Sequence, residues 1–186
     1  MVINLIGSTG IRCQVADFVL IVDPPSKRKA NITLLTEVSL EGSVEGEEGF
    51  IYGPGEYEIE GVRIKGIALP ASDKKNLATG YSVFFDDIKL GFIKNLEKIP
   101  SQEDLEKLGE IDILFVNTEN SSLNFKEINS FIKKVEPNII IPLTDKGAKN
   151  LMEEIGQKVT QEEKLTLKAK DINEEEGVKI VWLKEI

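Results

Sequence analysis

Histidine, the side chain most often used for acid–base catalysis and metal binding, is absent from this chain of 186 residues, and Cys13 is its only cysteine. Without histidine, neither a Ser–His nor a Cys–His nucleophile pair can form. Two pairs have the Ser-x-x-Lys spacing: Ser26 with Lys29, and Ser72 with Lys75. That chemistry needs a serine at a rigid helix start and a buried lysine, whereas both pairs lie in polar loop sequence. Cys13 lies in an apolar run that is typical of core residues, so the residue types do not favour nucleophilic catalysis.

Adjacent carboxylates occur at three places in the sequence: Glu47-Glu48, Asp86-Asp87 and Glu174–Glu176. General acid–base catalysis needs two carboxylates that converge in one cleft with different pKa values, and adjacency in sequence does not supply this. We therefore interpret all three as solvated loop residues. The Gly53-Pro54-Gly55 run lacks the lysine and the following helix of a phosphate-binding loop, and it predicts a tight turn.

The charge balance is acidic, with 23 basic residues, 32 acidic residues and a net charge of −9. This balance argues against binding to nucleic acid or to an anionic membrane, because both need clustered lysine and arginine. The N-terminal sequence does not resemble a signal peptide, and no run approaches the ~18 apolar residues of a membrane helix. One cysteine allows no internal disulfide, so we expect a cytoplasmic protein. The length suits a single domain over residues 1–186.

The first half of the sequence predicts β-strands separated by turns. Short apolar or alternating runs predict strands at Val2–Ile6, Ile11–Ala16, Phe18–Val22, Ile32–Leu35, Phe50–Tyr52, Glu56–Ile59, Val62–Leu69, Tyr81–Phe85 and Lys89–Ile93. Residues 37–49 are rich in glycine and glutamate and predict a loop. The last two strands are predicted to form a hairpin around Asp86-Asp87.

The second half predicts helices that alternate with buried strands. Helices are expected from Ser101 to Gly109, from Phe125 to a stop at Pro137, and from Thr144 to Gly156. Strands are predicted at Ile111–Val116, Asn138–Ile141, Leu165–Ala169 and Val178–Leu183. Strands followed by strand–helix units predict an α/β fold, a layered sandwich in one domain.

Residues 51–59, with the sequence IYGPGEYEI, and the following Gly61-Val62 and Lys65–Ile67 resemble the metallo-β-lactamase fold. The resemblance is to the branch of predicted zinc-dependent hydrolases similar to ascorbate-6-phosphate lactonase. Weaker matches are the strand that ends in Asp23-Pro24, the helix and strand of residues 105–116, and the strand of residues 137–142. The resemblance covers most of residues 2–145. It implies an αβ/βα sandwich, two sheets flanked by helices, with a metal-dependent hydrolase site at one edge.

The resemblance also identifies the positions at which the family carries its metal ligands. The family's histidine-rich run matches residues 36–42, TEVSLEG, and the turn whose aspartate bridges the metals matches residues 92–95. The matched positions are Glu37, Ser39, Glu41, Gly42, Asp73, Phe92, Asn95 and Thr144. Zinc sites need imidazole, thiolate or carboxylate ligands, and phenylalanine, glycine and threonine are poor substitutes. The zinc-dependent hydrolase activity that the resemblance implies is therefore predicted to be absent.

Two hypotheses for the function follow from this loss of ligands. In the first, the chain is a pseudoenzyme without metal or cofactor, and the scaffold serves binding or assembly with a protein, a small molecule or further copies of itself as a homo-oligomer. In the second, the chain is a hydrolase that holds Mg²⁺ or Mn²⁺ through an all-oxygen set: Glu37, Glu41, Asp73 and Asn95. A site built on the predicted loop of residues 37–49 would be loose, which favours the first hypothesis.

The first hypothesis also predicts how the matched positions are arranged. They should converge on one edge of the sandwich, with Phe92 at least partly buried in space that ions and water would otherwise fill. Glu37 and Glu41 would have no cation between them and should turn outward into solvent. The result should be a collapsed or shallow site without a deep polar pocket.

Overall fold

Two mixed β-sheets face each other across a shared apolar core. The computed structural model describes residues 1–41, 49–71, 73–94, 96–119, 122–172 and 177–186. The strands in these residues are β1 (Val2–Ile6), β2 (Gly10–Val15), β3 (Phe18–Val22), β4 (Ile32–Leu35), β5 (Glu37–Ser39), β6 (Phe50–Tyr52), β7 (Gly55–Ile59), β8 (Val62–Leu69), β9 (Asn76–Phe85), β10 (Ile88–Ile93), β11 (Ile113–Val116), β12 (Ile139–Pro142), β13 (Leu165–Thr166) and β14 (Lys179–Ile180). The helices are α1 (Gln102–Leu108), α2 (Phe125–Val135) and α3 (Asp145–Ile155), with a 3₁₀ turn at Ala169–Asp171.

Each sheet combines an antiparallel part with a parallel part. The first sheet has the order β13-β1-β2-β3-β4-β6, and its strands β3, β4 and β6 run parallel. The second sheet has the order β14-β12-β11-β10-β9-β8-β7, with β10, β11, β12 and β14 parallel and β5 paired to β9. All residues of β11 and β12 are buried, which explains their continuous apolar sequences. The predicted α/β sandwich is confirmed.

A row of bulky side chains on the second sheet fills the space between the sheets. Tyr81, Phe92, Phe115 and Ile141 lie opposite one another on four neighbouring strands, and all four are fully buried. The rings of Phe92 and Phe115 stack with their centroids 4.8 Å apart. These residues share one apolar cluster with side chains of the first sheet such as Leu34. The row therefore contributes much of the surface on which the two sheets pack.

The outer face of the second sheet is covered by the three α-helices of the described residues. Leu108 of α1, Phe131 of α2 and Leu151 of α3 form a second apolar cluster with strand residues such as Leu114 and Ile140. In the first sheet, the parallel strands β3 and β4 are joined by residues 23–31 without a helix. The helices therefore gather on one side of the sandwich instead of flanking both sheets. Over the described part of the chain, no helix is both long enough and apolar enough to span a membrane.

The predicted helix boundaries are confirmed by their capping interactions. The Ser101 hydroxyl accepts a hydrogen bond from the Asp104 backbone N–H at 3.1 Å, and the Thr144 hydroxyl accepts one from the Gly147 N–H at 3.1 Å. Helix α3 ends at Gly156, whose φ of +74° is the left-handed conformation that glycine adopts at little cost. Local sequence therefore determines where these helices begin and end.

The structure corrects the prediction of a loop over residues 37–49. Its first three residues form β5, which pairs antiparallel with the start of β9, residues 76–78. As a consequence β9 begins at Asn76, five residues before the predicted start at Tyr81. Residues 42–48 of the predicted loop lie outside the described residues. The two C-terminal strands are shorter than predicted, with two residues each in β13 and β14.

The titration of the Cys13 thiol tests whether this side chain is buried in the core. The thiol lies on β2 and is fully buried, and this burial raises its pKa from 9.0 to about 12. Because the folded-state pKa is the higher one, the protonated thiol stabilises the fold below pH 9.0, and this contribution is lost as the pH rises through about 12. We expect the free energy of unfolding to fall above pH 9.0, and we expect Cys13→Ala to show a smaller decline.

Urea denaturation of the wild type and the Cys13→Ala variant at about pH 8 and about pH 10.5 measures this difference in slope. Each protein serves as its own reference at the lower pH, so the loss of core volume in the variant does not enter the comparison. An equal decline in both proteins would contradict the assignment to Cys13.

Candidate functional site

An ion pair between a buried lysine and a half-buried aspartate joins the ends of strands from both sheets. The Lys94 side chain is 4% exposed, and its Nζ donates to Asp23 Oδ2 at 2.6 Å and to the Thr9 carbonyl oxygen at 2.6 Å. Asp23 Oδ1 accepts a hydrogen bond from the Thr36 N–H at 2.7 Å, and its Oδ2 accepts one from the Thr36 hydroxyl at 2.5 Å. Among the buried residues of the described chain, Lys94 carries the one charged side chain.

The backbone brings these groups together because each follows or connects a strand. Asp23 follows β3 with a φ of +44°, a conformation that is uncommon outside glycine, and its N–H donates to the Leu34 carbonyl oxygen at 2.9 Å. Thr36 follows β4, which runs parallel to β3, so the carboxyl ends of both strands lie side by side. Thr9 lies in the turn between β1 and β2, and Lys94 directly follows β10 of the second sheet.

A cavity of about 470 Å³ opens at this edge of the sandwich. Its lining is mostly polar and consists of Ser8, Thr9, Asp23, Pro24, Leu35, Thr36, Glu37, Lys94 and Asn117. The charged groups are two carboxylates and one ammonium. Asn117 follows β11, is 1% exposed, and accepts a hydrogen bond from the Glu119 N–H at 3.0 Å. An open, mostly polar cavity therefore lies at this edge of the sandwich.

Four of the positions matched to metal ligands lie together along β5 and near the start of β9. Of these, Glu37 lines the cavity and accepts a hydrogen bond from Asn76 Nδ2 at 2.8 Å. This arrangement differs from the expectation that Glu37 turns outward into solvent. Ser39, on the same strand, accepts a hydrogen bond from the Glu41 N–H at 3.3 Å.

The other two carboxylates of this group interact with Lys75. Glu41 is exposed, as expected, and its Oε1 lies 2.9 Å from Lys75 Nζ. Asp73 Oδ1 accepts a hydrogen bond from the Lys75 backbone N–H at 2.9 Å. These contacts place a basic side chain of the protein itself beside the Glu41 carboxylate, and neither Glu41 nor Asp73 lines the cavity.

The remaining matched positions do not contribute to the cavity in the described residues. Phe92 is fully buried, as expected, but it lies in the core between the sheets. Thr144 caps α3 and lines a separate cavity of about 470 Å³, which shares Ser8 with the first. Gly42 and Asn95 lie outside the described residues. Among the matched positions in the described residues, Glu37 is therefore the one that lines the cavity, and Phe92 lies in the core between the sheets.

The side chains at this edge do not fit a zinc centre or another transition-metal centre. Nowhere in the described ranges do three or more histidine, cysteine, aspartate or glutamate side chains form a group that could hold a metal ion. Lys94 Nζ already contacts the Asp23 carboxylate, and a positive charge at this distance repels an incoming divalent cation.

Sequence reasoning missed the Lys94–Asp23 pair as the centre of the site. Both residues belong to segments that the resemblance matched, but neither was assigned a role. One signal was present, because a lysine that directly follows an apolar run such as Leu90–Ile93 needs a partner if it is buried. The partner could not be read from the sequence, since Asp23 and Lys94 are 71 positions apart.

A family model described as the beta-lactamase superfamily domain matches residues 3–144, well over half of the chain. No curated protein sequence is similar enough to the chain to count as a match. The match to the family model therefore shows the superfamily of the chain. It does not by itself transfer an activity to the chain.

Solved structures with low sequence identity share this architecture. A Thermotoga maritima protein of the metallo-β-lactamase superfamily, to which a Zn-dependent hydrolase activity is attributed, is 16% identical with a TM-score of 0.74, and the alignment covers 100% of this chain and 99% of that one. An isothiocyanate hydrolase from Delia radicum gut bacteria is 11% identical with a TM-score of 0.60 and coverage of 98% and 96%. Zn²⁺-bound PqqB from Methylobacterium extorquens is 10% identical with a TM-score of 0.57 and coverage of 85% and 87%. The chain belongs to the β-lactamase superfamily and has the metallo-β-lactamase-type α/β sandwich fold.

Proposed function

We propose that this chain is a binding domain of the metallo-β-lactamase fold that does not perform metal-dependent hydrolysis. The observation that carries this proposal is the ion pair of Lys94 with Asp23 at the cavity edge, where Nζ and Oδ2 are 2.6 Å apart. Here the positive charge that faces the carboxylate belongs to the protein itself. A catalytic metal would need several unoccupied donor atoms and an open position for water or substrate.

The cavity supports a role in binding a small polar molecule or a polar segment of a protein. Its walls offer the carboxylates of Asp23 and Glu37, the amide of Asn117 and the hydroxyl of Ser8. Such groups fix the orientation of a ligand by hydrogen bonds. The net charge of −9 argues against nucleic acid and anionic membranes as partners. The proposal includes self-association into a homo-oligomer. It also includes a cytoplasmic location, which is consistent with a single buried free thiol.

Metal content is the first test of this proposal. Untagged protein, dialysed after purification, is expected to contain much less than one zinc, iron or manganese ion per chain, because the side chains in the described part of the chain do not provide a ligand set. Elemental analysis measures this directly. Addition of a chelator is expected to leave the thermal midpoint unchanged, since no metal contributes to the folding free energy.

Hydrolysis assays test the competing hypothesis of an oxygen-ligated divalent cation. Chromogenic lactam, lactone and phosphodiester substrates are incubated with the protein in the presence of Zn²⁺, Mn²⁺ or Mg²⁺, and heat-denatured protein is the control. We expect no turnover above the control. About one bound metal per chain together with metal-dependent turnover would replace the binding role with a hydrolase.

A further inference from the structure

The atoms around Lys94 Nζ form an oxygen-lined place for a positive charge. Asp23 Oδ2 and the Thr9 carbonyl oxygen both lie 2.6 Å from Nζ. The Thr36 hydroxyl donates to the same carboxylate oxygen at 2.5 Å, and Glu37 lines the same cavity. Carboxylate and carbonyl oxygens are the acceptors that ammonium groups and hard metal cations have in common.

We propose that this place is a cation-binding site whose bound cation is the Lys94 ammonium, and that it accepts a free primary alkylammonium ion when the Lys94 side chain is removed. The inference goes beyond the proposed function, because it concerns which cation the cavity holds and does not require the domain to bind or hydrolyse any other molecule.

The partial burial of the pair favours a positive charge at this position. The Lys94 side chain is 4% exposed and that of Asp23 is 20% exposed, so much of the Asp23 carboxylate is shielded from water and is stabilised by the ammonium and by hydrogen bonds from Thr36. If the ammonium were removed, Asp23 and Glu37 would be the charged groups left on the cavity wall, both of them carboxylates. A concave surface lined by one sign of charge raises the local concentration of counter-ions.

The geometry favours an ammonium ion over a bare metal ion. Magnesium requires near-octahedral coordination at about 2.0–2.1 Å, and calcium takes six to eight oxygen ligands. Among the described residues, the Lys94 ammonium donates to two oxygens at 2.6 Å, which are hydrogen-bond distances that a primary ammonium satisfies with two of its three N–H groups.

Chemical rescue of a Lys94→Ala variant tests this inference. Alanine retains Cβ, so the propylammonium ion replaces the deleted atoms. We expect the variant to unfold about 6–20 °C below the wild type, because the carboxylate loses its cationic partner. Added propylammonium is expected to recover at least half of this loss with saturable dependence on concentration, and to leave the wild-type midpoint unchanged.

Matched additions and a matched variant separate a specific site from a general effect of salt. Tetramethylammonium has the same charge but no N–H donor and should not rescue Lys94→Ala. Lys107→Ala removes a lysine from an exposed ion pair on α1, where the side-chain exposures are 56% and 78%, and it should not respond to propylammonium. The proposal is overturned if rescue is absent, if tetramethylammonium rescues equally, or if Mg²⁺ rescues at lower concentration than propylammonium.

A second comparison applies if Lys94→Ala does not fold. Lys94→Met retains the side-chain volume but leaves Asp23 unpaired, whereas Asp23→Asn combined with Lys94→Met removes both charges. We expect the double variant to have a higher thermal midpoint than Lys94→Met alone, because it has no carboxylate that needs a cation. A double variant that is no more stable than Lys94→Met would overturn the proposal.

Discussion

Replacing Asp23 with alanine is expected to lower the free energy of unfolding by about 3–5 kcal/mol. The substitution leaves the ammonium of Lys94, which is 4% exposed, without its negative partner. It also removes the acceptor of two hydrogen bonds from Thr36, at 2.7 Å and 2.5 Å. A buried charge without a partner costs more than a lost hydrogen bond, so the ammonium dominates the expected loss. Urea denaturation at neutral pH measures this loss as a shift of the midpoint at constant slope.

Asp112→Ala is the matched control for this substitution. Asp112 Oδ2 accepts a hydrogen bond from the Lys89 N–H at 2.7 Å, whereas the one buried cation of the described residues, Lys94, pairs with Asp23. Its removal is expected to cost about 1 kcal/mol, the typical net contribution of one hydrogen bond. The addition of Lys94→Met to Asp23→Ala should recover part of the loss, because the unpaired ammonium is removed as well. Equal losses of unfolding free energy for Asp23→Ala and Asp112→Ala would show that the ion pair contributes no more to stability than one hydrogen bond.

Phe92→Ala is expected to destabilise the protein by about 3–5 kcal/mol, the usual cost of deleting a large side chain from a packed core. Phe92 is fully buried between the sheets and stacks on Phe115 with a centroid distance of 4.8 Å. Its neighbour on the other side is Tyr81, which is held by hydrogen bonds to two backbone carbonyl oxygens. The surrounding residues therefore have little freedom to collapse into the space.

Two controls show whether the effect comes from packing at this position. Phe92→Leu retains most of the apolar volume and is expected to cost about 1.5 kcal/mol or less. Phe84→Ala removes a ring that is half-buried and covered by the Arg63 guanidinium at 4.4 Å, so a smaller loss is expected than at Phe92. A loss for Phe92→Ala no larger than that for Phe84→Ala would contradict the role of Phe92 in joining the sheets.

These substitutions probe two ways in which the sandwich is held together at one end. The Phe92 row supplies apolar contact in the interior, and the Lys94–Asp23 pair joins the strand ends of both sheets at the rim. Because the pair consists of side chains from the same chain, its formation requires no added cofactor.

Much of the fold follows from local sequence. Most of the strands are predicted by alternation or by short apolar runs. Alternation arises because successive side chains of a strand point to opposite faces of the sheet. The apolar runs of β11 and β12 arise because both faces of these strands are buried. Ser101, Thr144 and Gly156 mark helix ends because capping depends on residues only a few positions away. The absence of histidine also excludes histidine-ligated metal chemistry without any structure.

Contacts between distant parts of the chain decided what local sequence could not. Residues 37–39 have the composition of a loop but form a strand because β9 provides a partner for their backbone groups. Lys94 and Asp23 are 71 positions apart, and neither residue type predicts the other. The sequence alone therefore determined most of the elements, the α/β class and the loss of the family's ligands. Only the tertiary structure, which brings the strand ends of both sheets together, decided that a lysine ammonium faces the carboxylate at the cavity edge.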